Sequence, residues 1–373
     1  MFEDTLGVVI DAGSQNTKAG FSGEASPRVM FPTTVARFRR EGLIDGVPII
    51  YCGAEAIKNR GVSNLVWPVQ NGFIKDWDEM EKLWHHIFYK ELHVPPESTR
   101  IMYAVHPLVP REDKEKMAEI LFESFTVHGL YMAKSPALVL HATGRTSGIV
   151  WEDGHESSYV APVFEGFTLK YSTLPYPVTG KLLTTRLQKL LFDLGYSFTT
   201  PHEYDLLDQM KKDLCYVPID YEKELKLADR NEDFKLKYEL PDGQHIKLGA
   251  ERFQLAEAMF RPGLIGHQGP NLLDTITASI DLCDLDYRKM FIKNIVFSGG
   301  TTLLSGIVER VKQDLSLQLR SEHGACIDAT PMRQHAAWAG GSMIASMISM
   351  KGFWVTKEEY EDAGTSRVKY KFF

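Results

Sequence analysis

Residues 6–23 read LGVVIDAGSQNTKAGFSG, which has the pattern of two strands joined by a polar turn. An apolar, β-branched run leads into a polar turn from Asp11 to Asn16, after which TKAGF resumes the strand. Residues 146–167, TSGIVWEDGHESSYVAPVFEGF, repeat this plan with an acidic turn that keeps one glycine, Gly154. Two such hairpins in the first half of the chain predict two similar units that face each other.

The composition is that of an ordinary globular protein. The chain has 373 residues, enough for two sizeable cores, with 44% hydrophobic and 24% charged residues. The formal net charge is -7, and no basic block stands out. Direct binding to nucleic acid is therefore not expected.

The cysteines and the apolar runs indicate the compartment. Four cysteines lie far apart without a C-x-x-C pair, which predicts free thiols in a reducing compartment rather than a zinc site. A signal peptide is not expected from MFEDTLGVVIDAG, and no apolar run is long enough to span a bilayer. We expect a cytosolic or nuclear protein without a membrane partner.

Helical and strand patterns alternate along the rest of the chain. Apolar residues recur at helical spacing in 111–125 and 180–196, and a small-residue, methionine-rich helix is predicted over 336–350. Residues 293–315 read as strand, Gly-Gly turn and helix, and 211–249 end in a hairpin around PDGQ. This alternation, without a long linker, predicts an α/β protein.

Several stretches together resemble the actin family, and they follow one another from about residue 7 to Phe373. They are DAGSQNTKAGFSGE, MEKLWHHIFYKELHVPPE, GRTSGIV, YELPDGQHIKLGAERF, FSGGTTLLSGI, WAGGSMIASM and FWVTKEEYEDAGTS. The resemblance implies an α/β, actin-like (ribonuclease H-like) two-domain ATPase fold with four subdomains and a central nucleotide cleft. The two hairpins would be the paired phosphate loops.

The resemblance also implies boundaries for the subdomains. Subdomain 1 would comprise 1–32, 68–142 and 336–373; subdomain 2 would comprise 33–67; subdomain 3 would comprise 143–178 and 268–335; and subdomain 4 would comprise 179–267. The loop that inserts into the next subunit of a filament would lie in FRREGLIDGVPIIYCG, residues 38–53.

The first loop keeps most of the residues that the family uses for Mg-ATP. Asp11 matches the acid that holds magnesium through water, and Lys18 matches the lysine on the phosphate oxygens, whereas Gln15 replaces a glycine. The residues implied to bind ATP or ADP are Asp11, Gly13, Ser14, Lys18, Gly154, Gly299, Gly300 and Thr301.

The second loop departs from the family pattern D-S-G-D-G-V-T-H, because residues 152–159 read EDGHESSY. Glu156 replaces a glycine that would approach phosphate. At ~4 Å and an effective dielectric constant of about 20, each pair of like charges costs roughly 4 kcal/mol before screening. A protonated His155 would offset this repulsion only in part.

The residues that position the attacking water are also changed. Ser135 stands in place of a glutamine, and Tyr159 in place of a histidine. Lys212 replaces a glutamate that binds ribose, and Gln334 a lysine beside the adenine. We expect hydrolysis to be absent or very slow, leave open whether ATP or ADP binds, and expect Mg only with a bound nucleotide. No catalytic residue or direct metal ligand is assigned.

Partner binding is expected to be better preserved than catalysis. In the family, an apolar cleft between the two lower subdomains binds other proteins and the neighbouring subunit. The matching positions here, called the partner cleft, are His141, Gly144, Thr146, Phe167, Ile344 and Met347. They remain mostly apolar, and methionine suits adaptable contacts.

Three functions are consistent with these residues. The first is a structural actin-like subunit of a larger cytoskeletal or motor-associated assembly, including an axonemal one, with actin or actin-related subunits as partners. The second is an ATP-hydrolysing, filament-forming actin, and a subunit of a nuclear chromatin complex is a further alternative. A metabolic kinase of the same broad fold is disfavoured, since no sugar site is visible. The expected compartment is the cytoplasm and cytoskeleton, with the cilium or the nucleus as alternatives.

Overall fold

The structure is a computed structural model that describes residues 5–38, 50–231, 234–319 and 325–372. The chain divides into two compact units. Unit 1 is formed by Met1–Val150, Ala161–Thr173 and His335–Phe373, and unit 2 by Trp151–Val160 and Leu174–Gln334. The finer division into four subdomains stays a prediction. The predicted insertion loop, residues 38–53, lies outside the described residues between 39 and 49.

The strands of the described residues follow in chain order. They are β1 (Leu6–Ala12), β2 (Asn16–Phe21), β3 (Val29–Pro32), β4 (Val35–Phe38), β5 (Ile50–Cys52), β6 (Ser63–Val66), β7 (Val69–Gln70), β8 (Phe73–Ile74), β9 (Thr99–Val105), β10 (Gly129–Lys134), β11 (Gly148–Asp153), β12 (Ser158–Phe164), β13 (Phe167–Thr168), β14 (Leu174–Tyr176), β15 (Leu236–Glu239), β16 (His245–Leu248), β17 (Ile295–Ser298), β18 (Ile327–Asp328) and β19 (Val355–Thr356).

The α-helices of the same residues lie between these strands and at the end of the chain. They are α1 (Gly53–Lys58), α2 (Trp77–His86), α3 (Arg111–Glu123), α4 (Ser135–Ala142), α5 (Gly180–Asp193), α6 (Pro201–Leu214), α7 (Tyr221–Arg230), α8 (Glu251–Gln254), α9 (Leu272–Asp281), α10 (Leu285–Lys293), α11 (Ile307–Leu319), α12 (Ala336–Ser346), α13 (Lys357–Ala363) and α14 (Thr365–Lys371). None of these helices combines the length and the apolar character that crossing a membrane requires.

Unit 1 is built on a six-stranded sheet in the order β19-β10-β9-β1-β2-β3. Strands β1, β9 and β10 run parallel, and β2 returns antiparallel to β1 as the second arm of the first hairpin. Successive side chains of a strand point to opposite faces of the sheet, and in β1 the side chains on both faces are buried. Val8 and Ile10 belong to one buried cluster, and Val9 belongs to another.

Small residues let α12 approach α4 closely on the second of these faces. A Cβ added at Gly340 would collide with the carbonyl oxygen of Leu138, so only glycine fits there. Trp338 is fully buried, and its indole Nε1 donates to the carbonyl oxygen of Val9 at 3.0 Å. The composition of α12 therefore fixes this helix against both the sheet and α4.

The second six-stranded sheet has the order β13-β12-β11-β17-β18, with β14 also paired to β12. Strands β11 and β12 are the arms of the second hairpin. The pair β15 and β16 forms a separate antiparallel hairpin, as the PDGQ turn predicts. The α/β class and the alternating pattern of elements are thus confirmed.

Local signals explain where several helices begin. Helix α6 starts at Pro201 behind a reciprocal capping pair, in which Thr200 accepts from the N–H of Glu203 and the Glu203 carboxylate accepts from the N–H of Thr200. The helix predicted over 336–350 is too long. Helix α12 ends at Ser346, Met347 is extended, and a 3₁₀ segment follows over Ile348–Phe353.

Candidate functional site

The first hairpin lies in unit 1 and brings together an acid and a base. In the register of β1 and β2, Asp11 stands directly opposite Lys18. The Lys18 Nζ donates to Asp11 Oδ2 at 2.7 Å, and both side chains are mostly buried. The structure therefore places the two residues predicted for magnesium and phosphate in one ion pair.

The turn of this hairpin is compact. The N–H of Gly13 donates to the carbonyl oxygen of Asn16 at 3.0 Å, and a Cβ at Gly13 would lie 3.1 Å from that oxygen. Ser14 is nearly buried, and Gln15 accepts at its carbonyl oxygen from the N–H of Thr33. The backbone of Gln15 has no positive φ, so the turn itself does not require glycine there.

A histidine that no sequence pattern singles out lies near this pair. His335 precedes α12 and is buried, and its Nε2 has no partner within the described part of the chain. Burial lowers its pKa below the usual range, the Lys18 charge lowers it further, and Asp11 opposes the shift. No spacing in the sequence connects His335 to a turn more than three hundred residues earlier.

The second hairpin has the same turn. The N–H of Gly154 donates to the carbonyl oxygen of Ser157 at 2.8 Å, and a Cβ at Gly154 would lie 3.1 Å from that oxygen. Across the two strands, the Tyr159 hydroxyl donates to Glu152 Oε2 at 2.7 Å. The prediction that the two hairpins repeat one plan is confirmed for the backbone of the turn.

Asp153, which lies between Glu152 and Gly154 in the sequence, is fully buried. Neither carboxylate oxygen has a hydrogen-bond partner among the described residues. Burial raises the pKa of the carboxyl well above its usual range, and the nearby Ser158 hydroxyl and Lys211 charge oppose this without cancelling it. The carboxyl therefore stays protonated under conditions that ionise an exposed aspartate.

The remaining polar side chains of the turn are also held inside unit 2. Glu156 pairs with Lys181 at 2.7 Å, so the repulsion of phosphate expected from Glu156 is reduced by a neighbouring cation. Burial lowers the pKa of His155 to about 4. The ring is therefore neutral near pH 7 and does not supply the positive charge that would offset Glu156.

The turn at Gly299 and Gly300 packs against the second hairpin. Gly299 has φ +91°, and a Cβ there would collide with the backbone of Asp153. The Thr301 hydroxyl donates to the carbonyl oxygen of Gly154 at 3.0 Å, and the N–H of Gly180 donates to the same oxygen at 3.0 Å. The structure thus brings together the predicted residues Gly154, Gly299 and Thr301. A Cβ at Gly300 would meet open space.

A buried charge cluster lies next to the start of α5. Asp208 accepts from Lys211 Nζ at 2.7 Å and pairs with Lys212 at 2.6 Å. Lys211 also donates to the carbonyl oxygen of Gly180 at 2.8 Å. The sequence prediction named only Lys212. The spacing Asp-x-x-Lys-Lys on one helix is the signal that could have predicted both pairs.

The comparison with known families agrees with this architecture. A family model described as Actin matches residues 2–373.

The chain belongs to the actin family.

The side chains are buried at the two positions to which the actin resemblance assigns a role in hydrolysis. Ser135 is the first residue of α4 and is buried, with Pro136 behind it. Tyr159 is buried and bonded to Glu152. Gln334, expected beside the adenine, is exposed. The role of each predicted site residue in binding nucleotide stays a prediction.

The residues of the partner cleft all belong to unit 1. The N–H of Gly166 donates to the carbonyl oxygen of Thr146, which places β13 beside the end of α4. Phe167 is 64% exposed and Met347 is 51% exposed, whereas Ile344 is only 8% exposed and packs in the core. Five of the six positions therefore reach the surface at least in part.

Proposed function

We propose that this actin-family chain is a structural subunit of a larger cytoskeletal or motor-associated assembly, with its ATP hydrolysis degraded. The observation that carries the proposal is the bond from the Tyr159 hydroxyl to Glu152 at 2.7 Å. The tyrosine stands where the family has the histidine that assists the water, and it donates to Glu152, the acid at the position of the second hairpin that corresponds to Asp11.

The chemistry of hydrolysis explains why this matters. In-line attack on a terminal phosphate depends on a group that orients the water and on charges that stabilise the transition state. Ser135 is short and buried at the start of a helix, so it does not reach out as a glutamine would. A phenol that already donates to a carboxylate is a poor base for that water.

The residues fit a bound nucleotide only in part. The first hairpin offers an ammonium group at Lys18 and a carboxylate at Asp11, a donor set suited to a magnesium-bound phosphate. In the second hairpin, Glu156 stands where a glycine would let the backbone approach. Bound ATP or ADP would supply phosphate charge to the Lys18 side chain, and Mg would accompany it.

One observation supports a second candidate function, a working ATPase that polymerises: the first hairpin retains the Asp11–Lys18 pair. The two functions differ in turnover, so steady-state release of phosphate from Mg-ATP separates them. Conventional actin at the same concentration is the positive control. We expect release no greater than that of a buffer control, and turnover comparable to actin would overturn the proposal.

A structural subunit needs surfaces for other proteins, and the partner cleft is the candidate. Phe167 and Met347 are large apolar side chains that are more than half exposed. Alanine at both positions should remove bound partners from the affinity-purified protein, whereas Tyr370→Ala, a change at another exposed aromatic of unit 1, should not. Equal partner recovery from all variants would exclude the cleft as the binding surface.

A further inference from the structure

Asp208 is the centre of a buried charge network in unit 2. The carboxylate is 4% exposed, and it accepts from Lys211, from Lys212 and from the Thr184 hydroxyl at 2.7, 2.6 and 3.1 Å. Burial alone would raise the pKa of Asp208, but the charges and hydrogen bonds of the two lysines outweigh it and hold the pKa below its usual range. Asp208 is therefore ionised at neutral pH.

Lys211 connects this carboxylate to the start of α5. Its ammonium group is buried and donates to the carbonyl oxygen of Gly180 at 2.8 Å and to Thr184 Oγ1 at 2.7 Å, in addition to Asp208. Its three donors are thus all used, which is what a buried ammonium group requires.

The start of α5 is in turn bonded to the turn of the second hairpin. The N–H of Gly180 donates to the carbonyl oxygen of Gly154, and the N–H of Lys181 donates to that of His155 at 2.7 Å. The Lys181 ammonium group pairs with Glu156. A continuous set of bonds therefore runs from α6 through α5 to the second hairpin.

The network contains three ammonium groups and two carboxylates. Asp208 pairs with Lys211 and Lys212, which would otherwise repel each other, and Glu156 pairs with Lys181. Lys181 lies in the first turn of α5, the part of a helix where phosphates commonly bind, whereas Lys211 and Lys212 lie in the last turn of α6. Here the negative charge comes from Asp208 and Glu156, side chains of the protein itself.

We propose that Asp208 and Glu156 act as a built-in substitute for a bound anion, so that unit 2 holds its fold without nucleotide. This inference rests on the proposed function, in which hydrolysis of ATP is not the task of the protein. It also assigns a latent property to the site. Without the Asp208 charge, the half-exposed ammonium group of Lys212 loses its carboxylate partner, and with the charge of Lys211 beside it we expect it to bind inorganic phosphate or pyrophosphate.

The test is thermal unfolding of the full chain with and without nucleotide and magnesium, which apyrase and EDTA remove. The wild-type Tm should change by less than about 2 °C on removal, because the network does not depend on a ligand. Asp208→Asn should lower the Tm by roughly 5–10 °C, since it leaves a buried ammonium group without its counter-charge. Asp193→Asn, an exposed carboxylate at the end of α5, is the matched control and should leave the Tm unchanged.

Pyrophosphate, added without magnesium, is the probe for the latent site. It should restore at least half of the Tm lost in Asp208→Asn and should leave the wild type and Asp193→Asn unchanged. If Asp208→Asn does not fold, Glu156→Gln provides the test: its Tm should lie below that of Asp193→Asn, and pyrophosphate should restore part of the loss.

Three results would overturn the proposal: a wild-type Tm that falls by several degrees without nucleotide, carboxylate variants as stable as Asp193→Asn, or no effect of pyrophosphate on a folded Asp208→Asn. Failure of the proposed function is distinguishable, because it appears as ATP turnover by the wild type, whereas the Tm difference between Asp208→Asn and Asp193→Asn is measured without nucleotide.

Discussion

In the first hairpin Asp11 and Lys18 meet across the two strands; at the corresponding positions of the second hairpin Glu152 meets Tyr159. The correspondence follows from the turns, in which Gly13 and Gly154 each donate to the residue three places later. Both pairs are 2.7 Å apart. One backbone thus carries an ion pair suited to phosphate in unit 1 and an acid–phenol pair in unit 2.

The residue before each glycine differs as sharply. Ala12 stands there in the first hairpin, and the fully buried Asp153 stands there in the second. In the first hairpin the charged residues Asp11 and Lys18 pair with each other. In the second hairpin Glu156 pairs with Lys181, which lies outside the hairpin in unit 2. The two hairpins therefore share the backbone of the turn and differ in what their side chains bind.

The largest expected effect comes from the glycine turn behind the second hairpin. Gly299→Ala places a Cβ against the backbone of Asp153 at a positive φ, so we expect a loss of at least about 3 kcal/mol in the free energy of unfolding. Urea unfolding measures it. Gly300→Ala, which meets open space, is the control and should be close to wild type. Equal stability of the two variants would show that the second hairpin does not depend on this turn.

The next effect is acid sensitivity at His155. Its pKa is lowered to about 4 by burial, so its contribution to stability is present above the unfolded pKa near 6.5 and is lost as the pH falls towards 4. Wild type should lose about 2–3 kcal/mol more than His155→Gln over this window. Denaturant unfolding at pH 7 and pH 4 measures the difference, and parallel losses in the two proteins would contradict it.

Replacing Asp153 by the alanine of the first hairpin tests the comparison directly. The raised pKa of Asp153 means that its stability contribution is fully present below the unfolded pKa near 4 and is lost as the pH rises. Asp153→Ala should therefore be more stable than wild type by about 1–3 kcal/mol at pH 8, with a smaller gain at pH 4. Asp193→Ala serves as the surface control, and a destabilised Asp153→Ala at pH 8 would mean that the carboxyl has an unseen partner.

The smallest expected effect is a difference in how the coupling energies of the two cross-strand pairs respond to salt. Double-mutant cycles with Asp11→Asn and Lys18→Met, and with Glu152→Gln and Tyr159→Phe, should each give a coupling of about 1 kcal/mol. Added salt should weaken the first coupling more than the second, because only the first joins two opposite charges. The same salt dependence in both cycles would remove the distinction between the hairpins.

Much of this fold could be predicted because its signals are local. Alternating strands, a short polar turn and a Gly-Gly turn specify both hairpins and the bend at Gly299 from a few neighbouring residues each. Helix starts were likewise signalled by capping residues such as Thr200. The end of α12 at Ser346 was not, since its apolar pattern continues through Met347 while the backbone becomes extended.

The side chains of the candidate site were less predictable because their partners are distant in the sequence. Glu156 reads as a free acid in a turn, yet its partner Lys181 lies 25 residues away. The sequence around Asp153 is polar, as in a surface turn. Only the structure, in which the Gly299 turn packs against the Asp153 backbone, shows that this residue is buried. The charge of Glu156 therefore predicted repulsion of phosphate, whereas in the fold the Lys181 ammonium group reduces that repulsion.

The most direct measurement is the fate of ATP held with the native protein. The purified chain is incubated with Mg-ATP for several hours, quenched with acid and analysed for ATP and ADP, with conventional actin treated in parallel. We predict that the ATP is recovered intact, whether or not it binds, because under the proposed function Tyr159 and Ser135 do not position a water. Conversion of ATP to ADP at the rate seen with actin would contradict this.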